Sequence, residues 1–537
     1  MLSNSTDNDA ILEAEFLYWG LTLGFAILGF GLWFVSFLRK RRILWFPESA
    51  ALLLIGVVLG LILRFADADT ARALDLLVEF NGNLFFIIFL PPIVFDAAYN
   101  FSNVVFAENV FMICLLAFLG TTLTMIFTGF IMYGASQSSS SIYQMSLINN
   151  MIFGAGISAT DPVAVLIVFS TLGADSVLFA LVLGESVLND AVALVLYQTM
   201  SQFQTSEPTA TLFVLAILVF CGIFLASMAI GFLVGVLASF FFKHVKYYKY
   251  PEVAKIESGL TIVIPYFAYF LAQAAGFSGI TSISFCGIAM SEWGGTSVSH
   301  NTKIFLEEAY GAIAQTFEAF TFIFMGIAFV NLDHNDTPVI YYALTAFGAI
   351  LVARALHVMI CVFLGNLARP RKSQVNWTGT FALFVVGLRG PMAFFVSVQA
   401  STELVNQNDG QTMKSATIIL ICLTTPIIGI IMPYLVRAFD LTRQGSASEG
   451  GWTCCWGRSK STSTSTTFVE DTEGKEQEPP PPQRFITGLF LRMNEKYFKP
   501  LLATSAEENK SGTVKLSGLV NEEPVVSTIH KDDDACE

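Results

Sequence analysis

Residues 154–197 read GAGISATDPVAVLIVFSTLGADSVLFALVLGESVLNDAVALVLY. The stretch is long enough for two membrane-spanning helices, yet each carries acids where lipid disfavours them. The first is interrupted at Thr160-Asp161-Pro162; the second holds Glu185, Asn189 and Asp190. A charged side chain at the bilayer centre costs about 3 kcal/mol on insertion scales. Such residues therefore face the protein interior or a water-filled cavity, and mark an ion or proton path. Proline donates no backbone hydrogen bond and disfavours helix at the residue before it. Irregular backbone at membrane depth is tolerated only where protein or a cavity surrounds it. The stretch reads as an ion site inside a membrane.

Composition agrees. Of 537 residues, 54% are hydrophobic and 13% charged, against roughly 25% charged in ordinary globular chains; mean hydropathy is +0.63. The eight cysteines are scattered, mostly within apolar segments, so neither a disulfide framework nor a zinc site is implied. A net charge of −13 argues against nucleic acid as a partner. Met1–Glu15 is acidic and the first apolar run is long enough to span, so no cleavable signal peptide is expected. Nothing calls for an enzyme or a cofactor. The fold class is an all-α polytopic membrane protein in a lipid bilayer.

Apolar windows predict about thirteen spans, at 16–38, 47–65, 81–98, 107–133, 147–172, 176–200, 210–241, 254–275, 278–292, 306–330, 338–365, 377–400 and 414–438. Positive charge orients them. Arg39-Lys40-Arg41-Arg42, then Lys243, Lys246, Lys249 and Lys255, then Arg369, Arg371 and Lys372 all lie in odd-numbered loops. Those loops and the C-terminus are expected to be cytoplasmic, and residues 1–15 luminal or extracellular. The sequons at Asn4 and Asn335 then fall outside and are glycosylation candidates, whereas those at Asn100, Asn376 and Asn509 fall inside.

Span 12 reads WTGTFALFVVGLRGPMAFFVSVQA and is broken at Gly387-Leu388-Arg389-Gly390-Pro391. Spans 1–6 and 8–13, linked by span 7, would form two inverted six-helix repeats, with broken span 5 matching broken span 12. Paired Gly/Pro-interrupted spans are the best sequence pointer to a secondary transporter's site. There, helix N-terminal ends point positive dipoles into the midplane and C-terminal ends negative ones.

ATDPVAV (159–165), GESVLNDA (184–191), GLRGPMAF (387–394) and FLPPIVF (89–95) resemble the eukaryotic sodium/proton exchangers of the monovalent cation/proton antiporters. TFEAFTFIFMG (316–326), FCGIAM (285–290) and TTPIIGIIMP (424–433) extend the likeness, which covers roughly residues 45–438 in the family's order. ISATDPV with GESVLNDAVA is most similar to the endosomal, organellar branch. The resemblance implies electroneutral exchange of Na+ or K+ for H+ by alternating access, in a homodimer, with residues 16–438 as the exchanger domain. An endosomal, Golgi or other organellar membrane is expected over the plasma membrane.

On that reading Asp190 binds either the proton or the desolvated alkali cation, and one site that must lose H+ before gaining Na+ couples the fluxes. Asp161 and Thr160 lend oxygen ligands or position Asp190, and freed backbone carbonyls at the break add more, as hard cations prefer. Asn189 stands where many bacterial relatives have a second aspartate; the Asn-Asp form resembles electroneutral exchangers. Glu185 shares a helix face with Asn189, and Asp190 shares one with Ser186. Arg389 needs a counter-charge, and the resemblance suggests Glu185, the pair tying the two half-sites together. Glu318 matches a family acid, serving either transport or helix packing. Arg354 either snorkels or neutralises broken-helix carbonyls. Phe89, Leu90, Pro91 and Pro92 resemble a stretch associated with amiloride-type inhibitors, or form a kinked packing helix. Gln273, where an acid is expected, and Pro391, where a small residue is usual, depart from the pattern.

Within transport, the alternative is a cation channel, which two broken repeats and the lack of a selectivity-filter stretch disfavour. A transport-dead scaffold is opposed by intact Asp161, Asp190 and Arg389. An intramembrane aspartyl protease is opposed by the absence of a GxGD-like sequence around the two aspartates. Residues 439–537 form a cytoplasmic regulatory tail of largely disordered composition, with Cys454-Cys455 either palmitoylated or free. Residues 485–502 carry apolar residues at helical spacing, expected to dock on the transporter or a cytoplasmic partner, or to lie on the membrane.

Overall fold

The computed structural model describes residues 3–41, 46–65, 87–100, 103–161, 163–172, 176–206, 209–245, 254–295, 297–332, 337–369, 374–387, 389–439 and 498–502. Pro162, Leu388, Asn335, Cys454, Cys455 and residues 485–497 lie outside these, and so does any account of their predicted roles. The described residues are all-helical, without strands.

Helix α1 is Ser3–Lys40, α2 Glu48–Arg64 and α3 Leu90–Tyr99. Helix α4, Asn103–Cys114, runs through a π-helical segment, Leu115–Gly120, into α5, Thr121–Ser138. Then follow α6 (Leu147–Ser158), α7 (Val163–Leu172), α8 (Ser176–Ser201), α9 (Ala210–Val245), α10 (Ala254–Ala274) and α11 (Gly279–Ala289). A π-helical segment, Met290–Gly294, extends α11, and helix α12, His300–Ile304, passes through another, Phe305–Ala309, into α13, Tyr310–Val330. Then come α14 (Thr337–Leu367), α15 (Trp377–Val385), α16 (Pro391–Glu403) and α17 (Gln407–Ala438), and a single helical turn in the tail, Lys499–Leu502.

Each predicted span contains helix, and both predicted breaks are present, between α6 and α7 and between α15 and α16. The starts differ. The first helix begins at Ser3 rather than residue 16, because no proline or glycine interrupts residues 3–15; the predicted N-terminal segment is helical, Asn4 included. The tenth span starts at His300, where the Ser299 side chain accepts from the Thr302 amide and caps the helix. Seven described helices are long and apolar enough to cross a membrane.

Packing sorts the helices into two groups. In the first, α13 lies along α2, α9 and α10 along α11, and α3 against α11 and α13. In the second, α5 and α8 flank α6, α14 packs on α5, and α16 packs on α17 and α6. Helix α2 meets α13 backbone to backbone: a Cβ on Gly326 would fall 2.2 Å from the Leu53 carbonyl oxygen, so only glycine fits. Burial separates roles: 78% of the most apolar window of α8 is buried, against 17% of that of α9. Val214, Ile217, Leu218, Leu225 and Leu233 of α9 are exposed, an apolar face suited to lipid. Helix α8, which carries Glu185, Asn189 and Asp190, lies in the interior, as does α6, buried from Ile148 to Ser158.

Candidate functional site

The two breaks lie against each other. Helix α6 ends at Ser158, and the carbonyls of Ser158 and Ala159, which have no helical partner, accept hydrogen bonds from Nη1 of Arg389 at 3.1 and 3.3 Å. Gly390, the residue before α16, abuts Asp161: a Cβ there would fall 2.2 Å from the Asp161 Cβ. Asp161 thus sits at the N-terminal, electropositive end of α16, whose first position is Pro391. Thr425 of α17 donates to the Arg389 carbonyl at 3.4 Å.

Helix α8 clips the first break from the side. The Asn189 amide donates to the Thr160 hydroxyl oxygen at 2.6 Å and accepts from the Thr160 amide at 3.3 Å. Ser186 donates to the Thr160 carbonyl at 2.9 Å. The carbonyls of residues 158, 159 and 160 each accept one side-chain hydrogen bond, which leaves each a second lone pair. Asn189 and Thr160 shape the break by binding each other. Asp190 differs: it keeps some accessible surface, and its buried Oδ1 accepts no hydrogen bond among the described residues. Asp161 is near enough for its charge to act on it.

Glu185 faces elsewhere. Its carboxylate pairs with Nη1 of Arg354 on α14, while Nη2 of Arg354 donates to the Leu383 carbonyl at 2.8 Å near the end of α15. The predicted Glu185–Arg389 pair is corrected: Arg354 is the partner, while Arg389 turns its Nη1 to the α6 carbonyls and its Nε and Nη2 make no hydrogen bond among the described residues. Arg354 is 4% exposed, which excludes snorkelling; its contact with Leu383 is of the carbonyl-neutralising kind. Sequence reading missed His357, which lies within 3.4 Å of Arg354 and 2.8 Å of Thr124. Its i, i+3 spacing from Arg354 on one face of α14 was the available signal.

Glu318 lines a cavity of about 230 Å3 together with Arg39, Glu48, Asp96 and Gln315. Ile167 of α7 also lines it, so the cavity reaches the broken helix, and the Asp161 charge acts on Glu318. Arg39 donates from Nε and Nη2 to Glu48 at 2.5 and 2.7 Å on its wall. Phe89 packs on Phe317 and Phe320, with ring centroids 4.4 and 5.2 Å away, and Leu90, Pro91 and Pro92 are buried. That stretch packs α3 on α13. Gln273 accepts from the Gly279 amide at 3.2 Å, supporting the start of α11.

A buried carboxylate oxygen without a partner, between two broken helices of a multi-pass bundle, defines a membrane transporter of the broken-helix class. The bundle is similar to the sodium proton antiporter MjNhaP1 from Methanocaldococcus jannaschii, with a TM-score of 0.57 and 19% identity over 79% of this chain and 98% of that one. The family profile described as "Sodium/hydrogen exchanger, transmembrane" matches residues 25–438. The chain is 34% identical over 418 residues to sodium/hydrogen exchanger 5 of Arabidopsis thaliana, covering 77% of this chain and 79% of that one. To sodium/hydrogen exchanger 8 of Homo sapiens it is 29% identical over 428 residues, covering 79% and 72%. The chain belongs to the sodium/hydrogen exchanger family.

Proposed function

We propose that this protein is a secondary antiporter exchanging Na+ or K+ for H+, electroneutrally, by alternating access. One observation carries the reading: the Asp190 Oδ1, buried and unpartnered beside Asp161 where the two breaks cross. A carboxylate in such surroundings needs a proton or a cation. Because one group takes either but not both, release of H+ must precede uptake of the cation, and one charge moves each way. Asp161 supplies the neighbouring oxygens, while Asn189 and Thr160 hold the break open for it. Neutrality of Asn189 leaves one exchangeable charge on this stretch of α8, which supports electroneutrality.

The cavity at Glu318, Asp96 and Glu48 supports cation access from the α1–α2 connection, the cytoplasmic side by its Arg39–Arg42 run. Two inverted repeats fit the matched breaks in spans 5 and 12. Assembly as a homodimer, an organellar membrane, a cytoplasmic tail from residue 439 and glycosylation at Asn4 and Asn335 complete the proposal on the motifs and loop charges that suggested them.

The test is purified protein in proteoliposomes carrying a pH gradient, with cation added and valinomycin used to impose a voltage. Wild type should dissipate the gradient on Na+ or K+ addition, insensitive to voltage, and Asp190→Asn should abolish this. Transport by Asp190→Asn, or voltage-driven flux without proton countermovement, would refute the site or the class.

A further inference from the structure

His357 is 2% exposed on α14, one turn beyond Arg354, and its ring is shared among Arg354, Thr124 and the Ala353 carbonyl. Arginine can only donate, so the His357 Nε2, 3.4 Å from Nη1 of Arg354, carries the lone pair. The ring proton then resides on Nδ1, which donates to the Thr124 oxygen at 2.8 Å. Thr124 keeps its own proton for the Gly120 carbonyl at 2.9 Å. The chain runs from the π-helical segment ending at Gly120, through Thr124, His357 and Arg354, to Glu185 on α8 and Leu383 on α15. Gly120 makes room for it: a Cβ there would fall 3.0 Å from the His357 Cδ2.

Arg354 has a buried Nε without a hydrogen-bond partner among the described residues. Its guanidinium is therefore oriented through Nη1 and Nη2 alone, and Nη1 is shared by Glu185 and His357. An orphaned charged donor in such surroundings turns toward whatever acceptor it can reach. We propose that His357 is a positioning residue for exchange: its Nε2 holds Arg354 in register between Glu185 and the Leu383 carbonyl, and so fixes α8 and the end of α15 beside Asp190. His357 touches no ion and acts through Arg354. The inference rests on the exchange reading of Asp190.

The test compares His357→Phe, which keeps an aromatic ring without a lone pair, with His357→Gln, whose amide oxygen reaches about where Nε2 lies. Initial rates of Na+- and K+-driven proton release from proteoliposomes give Vmax and KM for each. His357→Phe should lower Vmax about tenfold or more, with the cation KM within about twofold of wild type, and His357→Gln should restore most of the rate. Should the Phe variant not fold, His357→Met refills the volume without a strong acceptor and is read instead. Wild-type Vmax in the apolar variant, or no recovery by Gln in protein that melts like wild type, would overturn the inference. Wild type and Asp190→Asn run alongside. If wild type itself does not exchange, the functional reading has failed; if only the His357 contrast is missing, this inference alone has.

Discussion

The Glu185–Arg354 pair offers the sharpest test of the fold around the site, because the family resemblance suggested a different partner, Arg389. Both side chains are buried, at 3% and 4% exposure. Removing one member of a buried ion pair costs about 3–5 kcal/mol, chiefly by leaving the other charge uncompensated. In Glu185→Gln, Arg354 keeps the Leu383 carbonyl and the His357 ring, so the lower end, about 3 kcal/mol, is expected. At about 2 cal/mol/K of unfolding entropy per residue over roughly 400 ordered residues, this lowers the melting midpoint by about 3–4 °C. The assay is thermal unfolding followed by tryptophan fluorescence in detergent, at fixed scan rate and lipid content. A double-mutant cycle then names the partner. Glu185→Gln combined with Arg354→Gln should be strongly non-additive, by about 1–3 kcal/mol, whereas its combination with Arg389→Gln, whose charge feels Glu185 without bonding to it, should couple more weakly. Stronger coupling to Arg389 than to Arg354 would refute the arrangement.

Gly390→Ala drives a methyl to 2.2 Å from the Asp161 Cβ, which moves only with its backbone; the break must shift, and exchange should fall at least about tenfold in the protein that still elutes as a monodisperse peak on size exclusion. A wild-type exchange rate would show that Asp161 need not stay where it is. Arg389→Gln strips the charge that satisfies the Ser158 and Ala159 carbonyls and should cost about 1.5–3 kcal/mol of stability, read as a lower melting midpoint; an unchanged midpoint would contradict the capping role. The tail should be released by Phe498→Ala with Leu502→Ala, because Phe498 stacks 5.4 Å from Trp293, Leu502 is buried, and Lys243 donates to the Pro500 carbonyl at 2.5 Å. Limited proteolysis should then cut the tail several-fold faster with the helical domain intact, and equal protection would argue against docking at this position.

What could be read in the sequence follows from how severely a membrane penalises charge and broken helix. Asp161, Asp190 and the breaks at Pro162 and Gly390-Pro391 stand out because little else in a bilayer tolerates them. Partner choice did not stand out. Arg354 and Arg389 are both lone cations in apolar spans, and spacing along the chain says nothing about which of them faces α8. The fate of the break carbonyls was equally hidden, since it depends on Arg389 and Ser186 arriving from other helices. His357 looks in the sequence like a histidine on an apolar face, and the π segment at Leu115–Gly120 like ordinary helix. The docking of Phe498–Leu502 on Trp293 joins elements about two hundred residues apart, which no local pattern encodes.

The crossing gives each break what the other lacks. The carboxyl end of α6 is electronegative, and Arg389, from the second break, meets its carbonyls. The amino end of α16 is electropositive, and Asp161, from the first break, lies against it at Gly390. Glu185 and Arg354 cancel each other one helix away. Among the described residues the Asp190 Oδ1 receives no hydrogen bond, and Nε and Nη2 of Arg389 and Nε of Arg354 make none; of these groups only the Asp190 carboxylate can take up H+ or an alkali cation. On the exchange reading this asymmetry is the coupling device. An occupied Asp190, carrying H+ or an alkali cation, lets the crossing move between access states nearly neutral, whereas an empty one would carry an uncompensated charge through low dielectric at a cost of several kcal/mol. Movement without cargo is thereby suppressed, and a leak becomes an exchange. A variant that gave Asp190 a resident partner, such as Val187→Lys one turn back on α8, would remove that penalty; Val187 is buried, so the variant is read only in protein that melts as a folded species, which should lose cation-coupled proton movement and cease to respond to either ion. Retained exchange in folded Val187→Lys would break the argument at this step.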